Sequence, residues 1–420
     1  MIISRSQKTE QTMKINTIRK IDKYFGKTLC FCLTLLRKTI NIFLKSKKDE
    51  KTKKILFIKL IEQGATVLAH STIKKAIDKY GLSNVYFFVL TENRPILDIL
   101  NIVKEQNIIE LSNASFSSTF IQTLRCILKT RSFKIDTVID MESFSRTSAI
   151  LSYLSGAKKR IGFHRFNSEL SYRGDLFTHR VQFNPHLHIS ISYHLLLETI
   201  EQDAQDIPHP KINLKNITYN NPKFDSKDEE KQNLIEKIKS IYPLQYSKII
   251  ILNSNASDII PHRKWPIDHF KTLTHYILSY YSDSIVIFTG LKKEFEKIND
   301  VLFPLNNSRI LNMAGMLSLR ELIVLYTISD VLVTNDSGPG HFASLTNIHN
   351  IVLFGPETPI IFSPLSPNTH IIHTDLACSP CVNPFNHRFS PCTNNICMNR
   401  ISPEHVFDKI KSILSQASSL

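Results

Sequence analysis

From residue 55 onward, the chain alternates short runs of β-branched and aromatic residues with helical patterns. The runs at Val85–Leu90 (VYFFVL) and Lys248–Asn255 (KIIILNSN) are apolar over most of their length, as expected for strands that are buried on both faces. Strands that alternate with helices predict βαβ units, in which helices cover both faces of a parallel sheet. The sequence therefore predicts the α/β class.

A polar stretch with several prolines, at 203–246, divides these elements into two groups, as expected for a domain junction. The predicted strands are Lys53–Leu60, Val85–Leu90, Asn107–Leu111, Asp136–Met141, Lys248–Asn255, Ser284–Gly290, Ser308–Met313, Asp330–Asp336 and Asn350–Pro356, and the predicted helices include Thr66–Tyr80, Pro95–Val103, Thr119–Lys129, Pro266–Tyr280 and Ser318–Ile328. We therefore predict two doubly wound domains, at 55–245 and 246–420, after an N-terminal arm at 1–54.

The positive charge of the chain is concentrated in that arm. Residues 1–54 hold 15 Lys and Arg against four Asp and Glu, a balance of +11, which leaves only +4 of the total of +15 for the rest. A body with so little net charge and no recognition motif predicts that nucleic acid is not a partner.

The arm contains a basic amphipathic segment at 24–48. Its apolar run, Leu29–Leu36, is far shorter than the roughly 20 apolar residues that cross a bilayer, and no signal-peptide cleavage site follows. The pattern predicts a helix on an anionic membrane surface; the alternative is a helix packed on the body with a solvated basic face. Seven cysteines without a disulfide pattern indicate the cytosol, so we expect a cytoplasmic protein, peripherally bound to the inner face of the cytoplasmic membrane.

The segment Thr334–Pro359, TNDSGPGHFASLTNIHNIVLFGPETP, follows a predicted strand and starts a short helix near Pro339. Helix N-termini carry unpaired N–H groups and a partial positive charge, so this turn predicts a phosphate site to which glycines give close access. The alternative is an ordinary strand-to-helix turn with a polar N-cap. The residues of the predicted site are Asp336, Ser337, Gly338, Gly340 and His341.

This segment resembles the signature of glycosyltransferase family 9, the ADP-heptose:lipopolysaccharide heptosyltransferase family. The matching residues are Asp336, Ser337, Gly338 and His341, followed by Phe354-Gly355-Pro356-Glu357-Thr358-Pro359, in which one extra residue separates Pro356 from Thr358. Further similar segments are ILFIKL at 55–60, VID at 138–140, KRIGF at 159–163, HRKWPIDHF at 262–270 and MAGMLSLREL at 313–322. The resemblance covers roughly residues 53–415.

The resemblance implies a GT-B fold: two Rossmann-like domains facing across a cleft, with the nucleotide-sugar donor on the second and the acceptor mainly on the first. It implies an inverting transfer, from a nucleoside-diphosphate sugar such as ADP-heptose to a membrane-anchored glycolipid of the lipopolysaccharide core, with no required cofactor. The implied donor contacts, besides the turn residues, are Arg263 or Lys264 at the diphosphate and Glu321 at the ribose. Glu321 on an exposed helix face is the alternative.

The first turn departs from the family. Active heptosyltransferases read Gly-Asp there, and the Asp deprotonates the acceptor, whereas this chain has Gly64 followed by Ala65. Glu62 is the nearest carboxylate, and we predict that it replaces the missing base. The alternatives are a catalytically impaired nucleotide-sugar-binding protein that docks on membranes, or a GT-B-fold sugar-nucleotide epimerase.

A cysteine cluster lies near the C-terminal end, at Cys378, Cys381, Cys392 and Cys397. Two pairs of this kind are able to bind structural Zn²⁺ tetrahedrally. The alternative, which we favour, is a packed loop rich in thiols, without a metal.

Overall fold

The computed structural model describes residues 21–43, 51–112, 116–143, 145–167, 171–217, 219, 221–243, 245–258, 260–386 and 388–417. The chain forms two compact units. The first takes in residues 1–62, 72–184 and 192–217, and the second takes in 63–71, 185–191 and 218–420. Each contains one parallel six-stranded sheet, which confirms the predicted α/β class.

The sheet of the first unit has the strand order β3-β2-β1-β4-β5-β6. Its strands are β1 Ile55–Ile58, β2 Val85–Leu90, β3 Ile108–Leu111, β4 Thr137–Asp140, β5 Lys159–Phe163 and β6 His179–Val181. Its helices are α1 Lys27–Phe43, α2 Gln63–Tyr80, α3 Arg94–Leu100, α4 Phe116–Ser132, α5 Arg146–Leu154 and α6 Ile189–Glu198, of which the first residues of α2 and α6 belong to the second unit. The central strand β1 is buried at every position, as its apolar sequence predicts.

Helix α1, the described part of the arm, packs on the first unit. Cys30 is fully buried in a cluster with Ala149, Leu176 and Phe177 of the body. Arg37 forms an ion pair with Asp175. This helix of the arm therefore packs on the body, as the alternative prediction expected, and residues 1–20 and 44–50 of the arm lie outside the described residues. Among the described helices, none is long and apolar enough to cross a bilayer.

The sheet of the second unit has the order β12-β11-β10-β7-β8-β9. Its strands are β7 Lys248–Asn253, β8 Ser284–Phe288, β9 Ile310–Asn312, β10 Val331–Asn335, β11 His349–Phe354 and β12 Thr369–His373. Its helices are α7 Asp228–Ile241, α8 Ile267–Tyr280, α9 Phe295–Leu302, α10 Leu319–Thr327, α11 Gly338–Ala343, α12 Pro359–Phe362, α13 Ile396–Asn399 and α14 Pro403–Ala417. The single tryptophan of the chain, Trp265, is buried in this core and donates its Nε1–H to the carbonyl of Ile401.

In both sheets the strand order reverses at the first strand. The neighbours β1 and β4 mark this point in the first unit, and β7 and β10 mark it in the second. Helices leave the two neighbouring strands toward opposite faces of the sheet, which opens a crevice outside their carboxyl ends, where ligands of doubly wound proteins bind. The fold therefore places one candidate crevice in each unit.

Buried ion pairs hold the carboxyl end of the first sheet together. Lys59, directly after β1 and 2% exposed, donates to both carboxylate oxygens of Glu142, which follows β4, at 3.1 Å each. Burial lowers the pKa of Lys59, but Glu142, Tyr193 and Glu62 together outweigh this effect and raise the pKa. Glu142 also accepts the backbone N–H of Leu60 at 2.8 Å. This one carboxylate thus joins the two strands.

We expect Lys59→Met to destabilise the protein by about 3–5 kcal/mol, because it leaves the Glu142 carboxylate buried without its cation. The double variant Lys59→Met/Glu142→Gln should recover much of this loss, since the amide oxygen still accepts the backbone N–H groups. Unfolding followed by far-UV circular dichroism measures both. Lys74→Met, which removes an exposed lysine paired with Asp78, is the matched control and should cost less than about 1 kcal/mol. A double variant no more stable than the single one would contradict the assignment.

Candidate functional site

Four charged side chains meet at the crevice of the second sheet. Arg263, in the segment after β7, places Nη1 3.5 Å from Asp336 Oδ2 and 3.2 Å from Glu357 Oε2. Asp336 follows β10 and Glu357 follows β11. Arg388, from the cysteine-rich segment, places Nε 3.2 Å from Glu357 Oε1. We call these four residues the arginine–carboxylate network.

The network is almost closed to solvent. Arg263 is 9% exposed, Asp336 3% and Glu357 1%. Burial raises the pKa of Asp336 to about 7; Arg263 opposes this increase, and the nearby Glu357 adds to it. Buried charges persist only when they are paired, so the guanidinium of Arg263 favours the ionised form of Asp336 against the effect of burial. Perturbed pairs of this kind are typical of functional sites.

The predicted turn residues differ in what their atoms contact. Asp336 does not cap a helix but faces Arg263. Ser337 is at the N-cap position of α11 without a side-chain capping bond, and its hydroxyl donates to Asn335 O. A Cβ at Gly340 would lie 3.3 Å from Pro364 and 3.4 Å from Val352. Gly340 therefore lets α11 pack closely on the strands, a structural role that the sequence did not reveal.

Gly64 and His341 are in contact within the second unit. A Cβ at Gly64 would lie 2.4 Å from His341 Cδ2, so a larger residue there would displace the imidazole. His341 itself is buried, 8% exposed, in the first turns of α11. The two residues that the sequence indicated in separate segments are thus brought together by the fold.

The other two predicted donor contacts lie on the surface of the second unit. Lys264 pairs with Asp258 at 2.9 Å and its side chain is 33% exposed. Glu321 accepts the backbone N–H of Ser318 in a capping box and pairs with Lys237 at 3.0 Å. Both carboxylate oxygens of Glu321 are therefore engaged in helix capping and an ion pair. A contact from Glu321 to a ribose remains a prediction.

Glu62 occupies the turn at the carboxyl end of β1. Its backbone is left-handed, with φ of 69°, a conformation that is unfavourable for a residue with a side chain and that is typical of functional sites. Its carboxylate lies 3.3 Å from Lys59 Nζ, and its side chain is 29% exposed. Ala65 follows in the first turn of α2 and offers no polar group. Glu62 is thus the carboxylate of this turn, and its role as the base remains a prediction.

Sequence reasoning missed Glu357 and Arg388. Glu357 directly follows Pro356 in the Gly-Pro-Glu-Thr-Pro turn, so its position was visible as a departure from the family signature. Its burial between two arginines was not visible, since Arg388 comes from a segment that no pattern connects to the turn.

The cysteine-rich segment holds Cys378, Cys381, Cys392 and Cys397 as free thiols. Burial raises the pKa of Cys397. Among the described residues, no group of three or more His, Cys, Asp or Glu side chains is arranged to hold a metal ion.

Comparison with known proteins gives several similar chains. Lipooligosaccharide heptosyltransferase 2 of Campylobacter jejuni serotype O:6 is 30% identical over 173 residues, which are 40% of this chain and 51% of that protein. The chain spans about half the length of the first curated relatives it matches. The solved structure of Escherichia coli ADP-heptose lipopolysaccharide heptosyltransferase II aligns with a TM-score of 0.64 and 21% identity, over 87% of this chain and 99% of that one. An E. coli heptosyltransferase solved with ADP aligns with a TM-score of 0.55 and 13% identity, over 86% and 99%.

These alignments show the fold, two Rossmann-like units of the GT-B type, and so confirm the predicted architecture. The model of glycosyltransferase family 9 (heptosyltransferase) matches residues 123–387, a range that includes the network residues Arg263, Asp336 and Glu357. Because this match covers more than half of the chain, the protein belongs to glycosyltransferase family 9.

Proposed function

We propose that this protein is an inverting glycosyltransferase that moves a heptose from ADP-heptose to a lipopolysaccharide-core or related glycolipid. The observation that carries this proposal is the buried Arg263 at the switch point of the second sheet, beside Asp336. Membership of the family and the names of its relatives, all heptosyltransferases, agree with it. One relative was solved with ADP, which supports ADP as the nucleotide.

In this proposal the second unit, with the predicted domain 246–420 as its main part, binds the donor. Helix α11 has only six residues, so its terminus contributes little charge, and the guanidinium of Arg263 is the main group that neutralises the diphosphate. His341 adds a donor to a phosphate oxygen. Such preorganised groups stabilise the negative charge that develops on the leaving diphosphate. Lys264 and Glu321 serve at the rim of the same site.

The predicted domain 55–245 supplies the acceptor side. The acceptor hydroxyl oxygen attacks the anomeric carbon, the bond from that carbon to the diphosphate oxygen breaks, and the electron pair leaves with the diphosphate. The proton of the hydroxyl passes to Glu62, which replaces the family aspartate absent at Ala65. The backbone of Glu62, fixed in the left-handed region, supports a dedicated role for this carboxylate.

The acceptor is proposed to be membrane-bound, and helix α1 to bring the enzyme to the membrane. While one side of α1 packs on the body, its other side exposes apolar residues: Leu29 (45%), Phe31 (53%), Leu35 (49%), Leu36 (49%), Ile42 (78%) and Phe43 (85%). An apolar face flanked by lysines and arginines is typical of a helix that lies in an anionic membrane interface. The proposed location is the cytoplasmic face of the membrane.

The absence of the family aspartate at Ala65 favours a second candidate, a nucleotide-sugar-binding protein without transferase activity. The two candidates share the donor site and the membrane helix, and they differ only in turnover. Measuring transfer of heptose to a lipid A–core acceptor distinguishes them.

Arg263→Ala should weaken the binding of ADP by about 10- to 150-fold, the equivalent of the roughly 1.5–3 kcal/mol of a charge-assisted hydrogen bond. Isothermal titration calorimetry measures the affinity, and the fluorescence of Trp265 reports whether the second unit is folded. Arg320→Ala, which removes an exposed arginine paired with Glu230, is the control. Equal affinities of wild type and Arg263→Ala for ADP would show that Arg263 does not bind the diphosphate. Comparing the affinities for ADP, GDP and UDP tests which nucleobase the site prefers.

Glu62→Gln should lower turnover by at least about 100-fold, because positioned bases contribute about 10²–10⁴-fold, while the affinity for the donor stays unchanged. Adding Ala65→Asp in the Glu62→Gln background should restore part of the rate, since the turn then carries a carboxylate again. Single-turnover transfer assays measure both. Glu201→Gln removes an exposed carboxylate of the same unit, paired with Lys79, and should not change the rate. Full activity of Glu62→Gln would exclude Glu62 as the base.

Replacing both Ile42 and Phe43 by Glu should reduce binding to vesicles that contain phosphatidylglycerol by tenfold or more, because burying each side chain contributes about 1.5–3 kcal/mol. Vesicle sedimentation measures the binding, and wild-type binding should weaken as salt is added. Phe303→Glu is the matched control, since Phe303 is 84% exposed but lies in the second unit. Equal losses in both variants would contradict a specific role of α1.

A further inference from the structure

Helix α4 exposes a row of large apolar side chains. Phe120, Leu124 and Leu128 are spaced four residues apart, so they lie on one side of the helix, and Ile121 widens that side. Their exposed fractions are 63%, 48%, 67% and 51%, respectively, whereas Cys126 on the opposite side is buried. We call the four exposed residues the α4 face. A row of exposed apolar side chains of this kind marks an interaction surface.

The charges of α4 are all positive. Residues 116–132 have a balance of +3, from three exposed cations and no Asp or Glu: Arg125, Lys129 and Arg131. Arg125 lies one turn after Ile121 and one turn before Leu128, so it lies beside the α4 face. On the neighbouring strand β3, the carboxylate of Glu110 is itself 3.6 Å from Arg94. The surface that this helix presents is thus both apolar and cationic.

An anionic lipid surface fits this combination better than a second copy of the chain. In a symmetric dimer the same patch meets itself, so the three cations of one α4 would face those of the other, with no carboxylate on either helix to neutralise them. A bilayer interface takes up apolar side chains to a depth of about 5–10 Å, and it offers phosphate groups to lysines and arginines beside them. The chemistry of the α4 face therefore favours anionic phospholipid.

Helix α4 lies on the side of the first sheet where α1 is attached. Cys126 of α4 and Leu151 of α5 belong to one buried cluster with Leu56 of β1, so both helices cover the same face of the sheet. Helix α1 packs on α5 in turn, since Cys30 of α1 and Ala149 of α5 share a second buried cluster. Lipid contacts through both α1 and α4 would hold the first unit at two places, whereas α1 alone leaves the unit free to rotate about one contact.

We propose that α4 is a second membrane-binding helix of this chain. It inserts the α4 face into the interface of an anionic phospholipid bilayer, while its lysine and arginines pair with lipid phosphates. Together with α1, it orients the first unit, which supplies the acceptor side, against the bilayer. This inference rests on the proposed function, because a glycolipid acceptor is what requires the enzyme to be oriented at a membrane.

The first test removes apolar side chains from the α4 face. The full-length variant Leu124→Glu/Leu128→Glu should bind vesicles that contain phosphatidylglycerol at least about tenfold more weakly than wild type, because two side chains no longer enter the bilayer. Vesicle sedimentation measures the binding, and far-UV circular dichroism checks the fold. The matched control is Leu82→Glu/Leu214→Glu, which makes the same change at two leucines of the first unit outside α4, each 42% exposed. It should bind like wild type.

Two further variants identify lipid as the partner. Arg125→Gln/Lys129→Gln should weaken binding to the same vesicles, and the difference from wild type should shrink as salt is added, since salt screens the attraction. Phe120→Trp places an indole on the α4 face, and its emission should shift to shorter wavelength when vesicles are added. Trp265, the other tryptophan of that variant, is buried and gives a constant background. Leu82→Trp is the control and should show no shift.

The outcomes separate this inference from the proposed function. Unchanged vesicle binding by Leu124→Glu/Leu128→Glu, or an equal loss in Leu82→Glu/Leu214→Glu, would overturn the inference and leave α1 as the membrane helix. A wild-type dimer in analytical ultracentrifugation that Leu124→Glu/Leu128→Glu converts to monomers would assign the α4 face to a second copy of the chain and also overturn it. A wild type that neither binds ADP nor transfers heptose, but binds vesicles through α4, would overturn the proposed function and support the lipid contact.

Discussion

At the point where its strand order reverses, each sheet carries buried side chains of opposite charge that pair with each other. In the first unit, Lys59 after β1 is held by Glu142 after β4; in the second, Arg263 after β7 is held by Asp336 after β10. A parallel sheet leaves the carboxyl ends of these two strands open toward helices that diverge. Charges placed there cost desolvation energy, which only opposite charges offset, and the same groups are then preorganised for an anionic ligand or a proton.

The two units use this arrangement differently. In the first unit, Lys59 contacts the carboxylates of both Glu142 and Glu62, and the Glu62 carboxylate lies 3.3 Å from Lys59 Nζ. The proposed base Glu62 is therefore close to a positive charge. The arginine of the second unit lies against two carboxylates, those of Asp336 and Glu357. Burial raises the pKa of Asp336 in the second unit to about 7, and it raises the pKa of Asp140, which is buried beside Arg173 in the first unit, to about 6. Proton transfer and anion binding are thus proposed for different units.

Helix α1 is buried against the body on one side and exposes large apolar side chains on the other. Cys30 is buried against the body, and the N–H of Asp175 donates to Thr34. A Cβ at Gly174 would lie 2.7 Å from Cys30 O, and the backbone there has φ of +66°, so a glycine is needed for the helix to approach this closely. The opposite side keeps large apolar groups exposed, such as Phe43 at 85%. That exposure is unfavourable in water, which is why a membrane is the proposed partner.

The sequence by itself determined the class of fold and the position of most elements. Strand β2 runs from Val85 to Leu90 as predicted, and α10 from Leu319 to Thr327 differs from its prediction by one residue at each end. These segments were predictable because burial on both faces, or a capping box at Ser318, leaves a local pattern. The signature around Asp336 also predicted a donor site, because its residues are close along the chain.

Only the tertiary structure decided which charges meet. Nothing local connects Arg388 to Glu357 or Lys59 to Glu142, since each pair joins segments far apart in the sequence. The role of Gly340 in packing α11 on β11, and the contact of Gly64 with His341, likewise depend on what lies opposite each residue. Sequence patterns record the periodicity of burial along one element, whereas the energy of a buried charge depends on the partner that the fold places beside it.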